Sequence, residues 1–313
     1  MGHRLLTHYT TGVVIRPWRR AITGVTVARP DRMGTNYSVD ASRDQDGQLK
    51  PRVVVDHATK YYATRTGRVH ALEDVSLTVH EGEFVCILGP SGCGKSTLLW
   101  AMSGLHRLTS GSITIDGTVV VEPQPHVSMV FQDANMLPWR TVQQNVEFPL
   151  DVKKLDKKKY RDHIQGLFTL VGLDGFQNKY PRELSGGMQQ RASLVRCLSF
   201  HPSILLMDEP FGALDAFTRD ELNLLLQQIW AQTGKTIIFI THNISEAIFL
   251  ADRLIVLSAR PGRLVREFRI PLPRPRAIDV TTSPEFITLV NEVKQTIHHY
   301  SSSAPAGAAA LEM

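Results

Sequence analysis

The chain has 313 residues, 42% of them hydrophobic and 21% charged, with a formal net charge of +5. That length and balance suit a soluble globular protein of up to two domains with a large buried core. No apolar run reaches the ~18 residues a helix needs to cross a bilayer, and the mild charge, much of it in residues 1–32 and near Lys153 to Arg161, does not by itself imply a nucleic-acid partner.

In chain order, residues 1–52 show no sustained periodicity, and 1–32 carry Arg4, Arg16, Arg19, Arg20, Arg29 and Arg32 against the single acid Asp31. A disordered basic extension is expected, with an Arg-rich targeting segment, an arm for anionic lipid or a start at Met33 as the alternatives. Val53-Val54-Val55 and the alternating Val75, Leu77 and Val79 predict strands. With the hairpin Ile113 to Val120, turning at Asp116-Gly117, they make a small sheet of short antiparallel strands.

The apolar run Phe84 to Leu88 reads as a buried strand, and Thr97 to Met102 as a helix that Gly104 ends. Between them stands Gly89-Pro90-Ser91-Gly92-Cys93-Gly94-Lys95-Ser96, with the spacing G-x-x-x-x-G-K-S of a phosphate-cradling loop. Its glycines let the backbone fold back and bring N–H groups close to an anion. Lys95 supplies a mobile charge for the outer phosphates, and the Ser96 hydroxyl is an oxygen ligand for Mg²⁺. The helix aims its positive end at the loop, so Gly89 to Thr97 is the candidate triphosphate site. Cys86, Cys93 and Cys197 lack metal spacing and are expected as small buried hydrophobes in a reducing compartment.

Val127 to Phe131 is a further strand, ended by Gln132. Asp156 is the expected N-cap of a helix with Tyr160, Ile164, Leu167, Phe168 and Val171 on one face. Lys153, Lys154, Lys157, Lys158 and Lys159 near its start are expected as a solvated face. Ser185-Gly186-Gly187 opens a helix, Met188 to Ser199, and offers N–H donors and a dipole end to an anion. Ile204 to Met207 is an apolar strand ending in Asp208 and Glu209. Asp208 is placed to hold the metal opposite Ser96, and Glu209 to polarise an attacking water.

Glu221 to Trp230, Thr236 to Ile240 and Ser245 to Leu250 continue as helix, strand and helix, an alternation that indicates a parallel sheet covered by helices. Pro271 to Arg276 suits neither helix nor central strand. Ser283 and Pro284 start a last helix with Phe286, Leu289, Val290 and Val293 on one face, and a disordered tail runs over 301–313.

Leu184-Ser185-Gly186-Gly187-Met188-Gln189-Gln190-Arg191 resembles the signature motif of the ATP-binding cassette (ABC) ATPases, with Met188 where glutamine is common. The surrounding order is similar too. Gln132 resembles the family's Q-loop, Ala213-Leu214-Asp215 its D-loop, and Thr241-His242 its switch histidine. Tyr62, in Thr59-Lys60-Tyr61-Tyr62, resembles the aromatic that stacks on adenine, with Tyr61 as the other choice and packing as the plain role for one of the two. The resemblance covers residues 53–270 and implies an α/β P-loop NTPase fold. Its parts are a RecA-like parallel-sheet core, a small antiparallel β-subdomain and a helical insert over about 133–190, followed by a one-helix extension over 271–300.

The resemblance also implies ATP and Mg²⁺ as cofactors and a second copy of the chain as partner. Ser185, Gly186, Gly187 and Gln189 of one subunit would complete the site around the γ-phosphate held by Lys95 of the other. Ser96, Gln132 and Asp208 would form the metal shell, Glu209 would act as base or water orienter, His242 would contact the γ-phosphate, and Asp215 would link the two sites. The segments Val130 to Val142, Tyr180 to Glu183, Phe211 to Asp215 and Arg260 to Arg263 resemble a subgroup, the ATPase subunits of bacterial nitrate, sulfonate and taurine importers. That implies transmembrane permease subunits as partners, indirectly a periplasmic solute-binding protein, the cytoplasmic face of the inner membrane as location, and no nucleic acid. Met136, Leu137 and Trp139 are candidates for the permease contact, with packing inside the insert as the alternative. DNA-maintenance ATPases with these motifs place a long coiled coil where this chain has residues 133–183 without sustained heptads, whereas an export ATPase stays as the nearer alternative.

Overall fold

The computed structural model describes residues 49–65 and 67–302; the expectations for 1–48 and 303–313 lie outside them. In chain order the elements are β1 (Pro51–Thr64), β2 (Gly67–His80), β3 (Phe84–Leu88), α1 (Lys95–Met102), β4 (Ser110–Ile115), β5 (Thr118–Val119), β6 (Val127–Val130), α2 (Val142–Val152) and α3 (Lys157–Leu170). There follow α4 (Gly186–Leu198), β7 (Ile204–Asp208), α5 (Ala216–Thr233), β8 (Thr236–Ile240), α6 (Ile244–Leu250), β9 (Arg253–Leu257), β10 (Leu264–Arg269) and α7 (Pro284–Ser302). One sheet has the order β10-β9-β3-β8-β7-β6 and is parallel except for β10; the other, β2-β1-β4-β5, is antiparallel. This is the α/β architecture that the motifs imply, with α2, α3 and α4 inserted between β6 and β7.

Strands β3, β7 and β8 are buried along their whole length, as parallel strands covered on both faces must be. Their side-chain alternation sorts two cores. Phe84, Cys86, Leu205, Met207, Ile237 and Phe239 join Val195, Leu226, Phe249 and Phe286 from the helices on one face. Val85, Ile87, Ile204, Leu206, Ile238 and Ile240 meet Leu98 and Leu99 of α1 and Val53, Val75 and Val79 of the antiparallel sheet on the other. Each fully buried Leu, Ile or Phe contributes about 2 kcal/mol of transfer free energy. Helix α1 is therefore gripped between two sheets, and the strand tips beside it end fully buried strands.

Strands β1 and β2 differ from the short strands expected: each spans 14 residues. Register shifts between Val55 and Ala58 and between Ala58 and Lys60 are bulges, which let so long a ribbon twist while Val53, Val55 and Ala58 stay buried. The hairpin turn forms as expected, with φ 48° at Asp116 and 76° at Gly117, the left-handed pair that a type I′ turn requires. Helix α2 and strands β9 and β10 go beyond the sequence reading. Pro149 lies inside α2, which hides its periodicity, although Thr141 and Gln144 form a capping box at its start.

Asp156 caps α3 as expected, its carboxylate accepting from Lys158 N–H at 3.0 Å. The solvated lysine face is corrected in part. Lys153 donates to Pro125 O at 2.7 Å and lies 4.4 Å over the Phe200 ring, and Lys157 bridges Asp151 at 2.7 Å and Glu147 at 3.2 Å. These carboxylates sit across the α2–α3 turn, which charge-spacing along one helix cannot reveal. All three cysteines are free and buried, and burial raises each thiol, so none is a reactive thiolate.

Helix α7 forms as expected and sends Phe286 and Val293 into the first core. The proline-rich segment before it is fixed by two arginines. Arg276 is buried and donates from Nη1 to the carbonyls of Ile248, Phe249 and Ala251 at 2.8–2.9 Å, a cation on the negative end of α6. Arg274 donates to Asp252 at 2.9 Å and lies 4.1 Å over the Trp230 ring. Among the described residues no helix is long and apolar enough to cross a membrane.

Candidate active site

The phosphate loop leaves the tip of β3 and returns as α1. Gly92 and Gly94 take φ 70° and 101°, and a Cβ on Gly94 would stand 2.6 Å from Ala71 O, so only glycine fits there. The loop is packed from within by the buried Cys93, whose Sγ would lie 2.8 Å from a Cβ on Gly89. Cys93 thus shapes the cradle, and only its backbone faces the site's chemistry. Lys95 is buried, and its Nζ donates to the carbonyls of Gly89 at 3.0 Å and Pro90 at 3.1 Å, spanning the mouth of the loop.

Two carboxylates end β7. Asp208 accepts a hydrogen bond from Ser96 Oγ at 2.9 Å, so the two expected metal ligands stand side by side. Burial lifts the Asp208 carboxyl above its ordinary range and Glu209 adds to this, while the Ser96 bond and Lys95 oppose it. A carboxylate disfavoured in this way gains from a hard cation. Glu209 turns off the strand with φ 45°, an uncommon conformation for a non-glycine residue, and this re-aims its side chain. Its Oε1 lies 3.9 Å from Lys95 Nζ and its Oε2 2.8 Å from His242 Nδ1. Thr241, just before the histidine, donates from Oγ1 to the buried Glu246, and Asn243 caps α6, so His242 is held from both sides.

The structure therefore joins Lys95, Ser96, Asp208, Glu209 and His242 in one cluster. Tyr62 lies next to it, with its hydroxyl 3.4 Å from Thr97 Oγ1, whereas Tyr61 stacks on His70 with centroids 4.0 Å apart. Gln132 is exposed at the end of β6, and its carbonyl accepts from Gln190 Nε2 at 2.7 Å. Gln190 is a residue that motif reading missed. It is buried and also donates to Pro210 O, tying the Gln132 turn to the turn after Glu209. A polar residue on the inward face of α4 is the signal that could have found it.

The signature turn makes only local bonds. Ser185 is exposed and caps α4, its Oγ accepting from Met188 N–H at 3.3 Å. Gln189 points inward and donates to the carbonyls of Pro181 at 3.1 Å and Leu184 at 3.2 Å. Asp215 caps α5, accepting from Thr218 N–H at 3.0 Å and Thr218 Oγ1 at 2.7 Å, and these bonds hold its carboxyl below the usual carboxylate range. Among the described residues, no hydrogen bond of Ser185, Gly186, Gly187, Gln189 or Asp215 reaches Lys95, Ser96, Asp208 or Glu209. The Met136, Leu137 and Trp139 group divides: Met136 packs on the core and Leu137 is half-buried, while Trp139 is 71% exposed. Asn145 and Arg196 hold this loop, Asn145 through the carbonyls of Leu137, Arg140 and Thr141, and Arg196 through those of Ala134 and Asn135.

A glycine-lined anion cradle, a buried ammonium, a hydroxyl beside a carboxylate and a glutamate beside a histidine are the parts of a triphosphate-hydrolysing centre. Residues 72–212 match the ABC transporter family. The taurine import ATP-binding protein of Rhizobium johnstonii is 45% identical over 250 residues, which are 78% of this chain and 95% of that protein. The aliphatic sulfonates import ATP-binding protein of Bacillus cereus is 43% identical over 225 residues, 72% of this chain and 88% of that protein. A dimeric, post-hydrolysis ATP-binding cassette bound to ADP and Pi superposes with a TM-score of 0.62 at 33% identity, covering 70% of this chain and 99% of that one. On these grounds the chain belongs to the ABC transporter ATP-binding proteins, ATPases whose hydrolysis is coupled to transport.

Proposed function

We propose that this chain powers import of a small anion of the nitrate, sulfonate or taurine class through separate permease subunits, working as a head-to-tail homodimer at the cytoplasmic face of a bacterial inner membrane. A periplasmic solute-binding protein would deliver the anion. The subgroup segments and the two import-protein relatives support the solute class. The observation that carries the dimer is the separation of the two half-sites: the cluster around Lys95 is assembled within the chain, while the exposed Ser185 turn bonds only to its own helix. The exposed Trp139 supports a permease contact beside the Gln132 turn. In this reading residues 53–270 are the ATPase unit, about 133–190 its permease-facing insert, and 271–300 an extension.

ATP lies with its phosphates on the N–H groups of Gly89 to Thr97 and its base on Tyr62. Lys95 Nζ leaves the carbonyls of Gly89 and Pro90 for the β- and γ-phosphates. Ser96 and Asp208, side by side, would hold Mg²⁺ through their oxygens, with Gln132 as a further ligand directly or through water, and the ion would neutralise phosphate charge. Glu209 orients or deprotonates the attacking water, and His242, held by that same carboxylate, contacts the γ-phosphate as charge develops. A partner's Ser185, Gly186 and Gly187 close over the γ-phosphate with the N-terminus of α4, and Asp215 lies between the two sites. Closing and reopening would switch the permease between its two facing states.

Glu209→Gln tests this reading. It keeps the shape and loses the base, so ATP binding is retained, a closed dimer accumulates, and turnover falls about 1,000-fold. Turnover close to that of the unaltered protein would remove Glu209 from the chemistry.

A further inference from the structure

We propose that His106 and Lys60 fix the Tyr62 ring as the platform for the nucleotide base, His106 by holding its hydroxyl and Lys60 by covering one ring face. This deepens the reading of Gly89 to Thr97 as the ATP site. His106 Nδ1 lies 2.9 Å from the Tyr62 hydroxyl, which is also 3.4 Å from Thr97 Oγ1. Lys60 Nζ lies 4.9 Å from the ring centroid and is pinned there by a 2.6 Å hydrogen bond to Arg107 O.

These contacts tie the phenol to α1 at two points. Thr97 stands in its first turn, directly after Ser96 of the phosphate loop. His106 lies beyond its other end, where the N–H groups of Leu105 and His106 both return to Trp100 O, at 3.0 and 3.2 Å. The Trp100 indole meets the His106 ring edge-on, with centroids 5.0 Å apart, and limits how that ring can turn. The base platform is therefore tied to both ends of the short helix that begins at the phosphate cradle. A side chain immobilised before binding spares the complex the cost of ordering it. With an ammonium on one face, a stacked base would take the opposite face of the ring.

A ring held for the base matters to ATP and not to a bare triphosphate, so the test compares the two. The full-length protein and its variants are titrated calorimetrically with ATP and with inorganic tripolyphosphate, each with Mg²⁺. His106→Ala and Tyr62→Phe, which each remove one partner of the same hydrogen bond, should weaken ATP binding about 5-fold and leave tripolyphosphate unchanged. The double variant should bind ATP no more weakly than Tyr62→Phe, which by itself loses both the His106 bond and the contact to Thr97. His106→Asn, whose amide can take the place of Nδ1, should bind ATP almost as the unaltered protein does. Unchanged ATP binding in His106→Ala, equal weakening of both ligands, or additive losses in the double variant would each overturn the assignment. Lys95→Ala separates the layers: if it weakens both ligands while His106→Ala weakens neither, only the platform fails, and if Lys95→Ala binds both normally the nucleotide site itself is misplaced.

Discussion

The phosphate loop and the signature turn are both Gly-rich turns that open a helix, yet the chain treats them differently. The first is built inward: Lys95 and Asp208 are buried, Ser96 is bonded to a carboxylate, and both flanking sheets pack against α1. The second is built outward: Ser185 and Gly186 are exposed, and the side chains of Ser185 and Gln189 bond only within their own turn and helix. Among the described residues, no hydrogen bond of this turn reaches the cluster around Lys95. The contrast is what the proposed dimer rests on: the cluster around Lys95 is assembled within the chain, and the bonds of the Ser185 turn stay local.

The largest expected effect on binding breaks the inward half. Lys95→Ala removes the only side-chain cation of the loop and should weaken ATP binding about 100-fold in a calorimetric titration; unchanged affinity would show that the loop does not hold the phosphates. Next comes the outward half. A Cβ on Gly187 would stand 2.6 Å from Thr218 Cγ2, so Gly187→Ala should push the signature turn off the α5 cap and lower turnover about tenfold. Adding Thr218→Ser removes that methyl and keeps the hydroxyl that donates to Asp215, so it should restore turnover. Failure of the second change to rescue the first would mean that the turn tolerates no side chain for another reason.

The smallest effect concerns what holds the signature helix from behind. His163 donates from Nε2 to Leu198 O at the far end of α4, at 3.1 Å, and stacks on His201 with centroids 3.7 Å apart. Burial, with His163 and Lys235 adding, pushes His201 down to about 4 from an ordinary 6.5. The unfolded chain therefore takes up a proton that the folded chain refuses, and stability should fall as pH drops from about 6.5 towards 4. His201 has φ 56°, a backbone that asparagine tolerates, so His201→Asn should flatten that fall in urea melts at pH 7 and pH 5. An equal drop in both proteins would locate the pH dependence elsewhere.

What could be read from the sequence follows the same division. Residues whose role is set by local geometry are legible: the glycines of the phosphate loop, the acids closing an apolar strand, the Asp-Gly hairpin and the Asp156 cap all stand where spacing puts them. Residues whose role depends on a distant partner are not. Gln190 joins two turns far apart in the chain, Lys157 meets acids on another helix, and Arg276 solvates the end of α6 from beyond β10. Nor does the 14-residue length of β1 and β2 follow from their apolar alternation, because the bulges that sustain the ribbon interrupt the pattern that would announce it.

The most direct measurement mixes two damaged subunits. Lys95→Ala keeps a sound signature turn, and Ser185→Arg keeps a sound phosphate loop while crowding its own turn. Each alone should be inactive, and an equal mixture should regain up to about a quarter of native ATP turnover, because half of randomly formed pairs carry one intact composite site out of two. A mixture as inactive as its components, or native turnover by Ser185→Arg alone, would contradict a site shared between two copies.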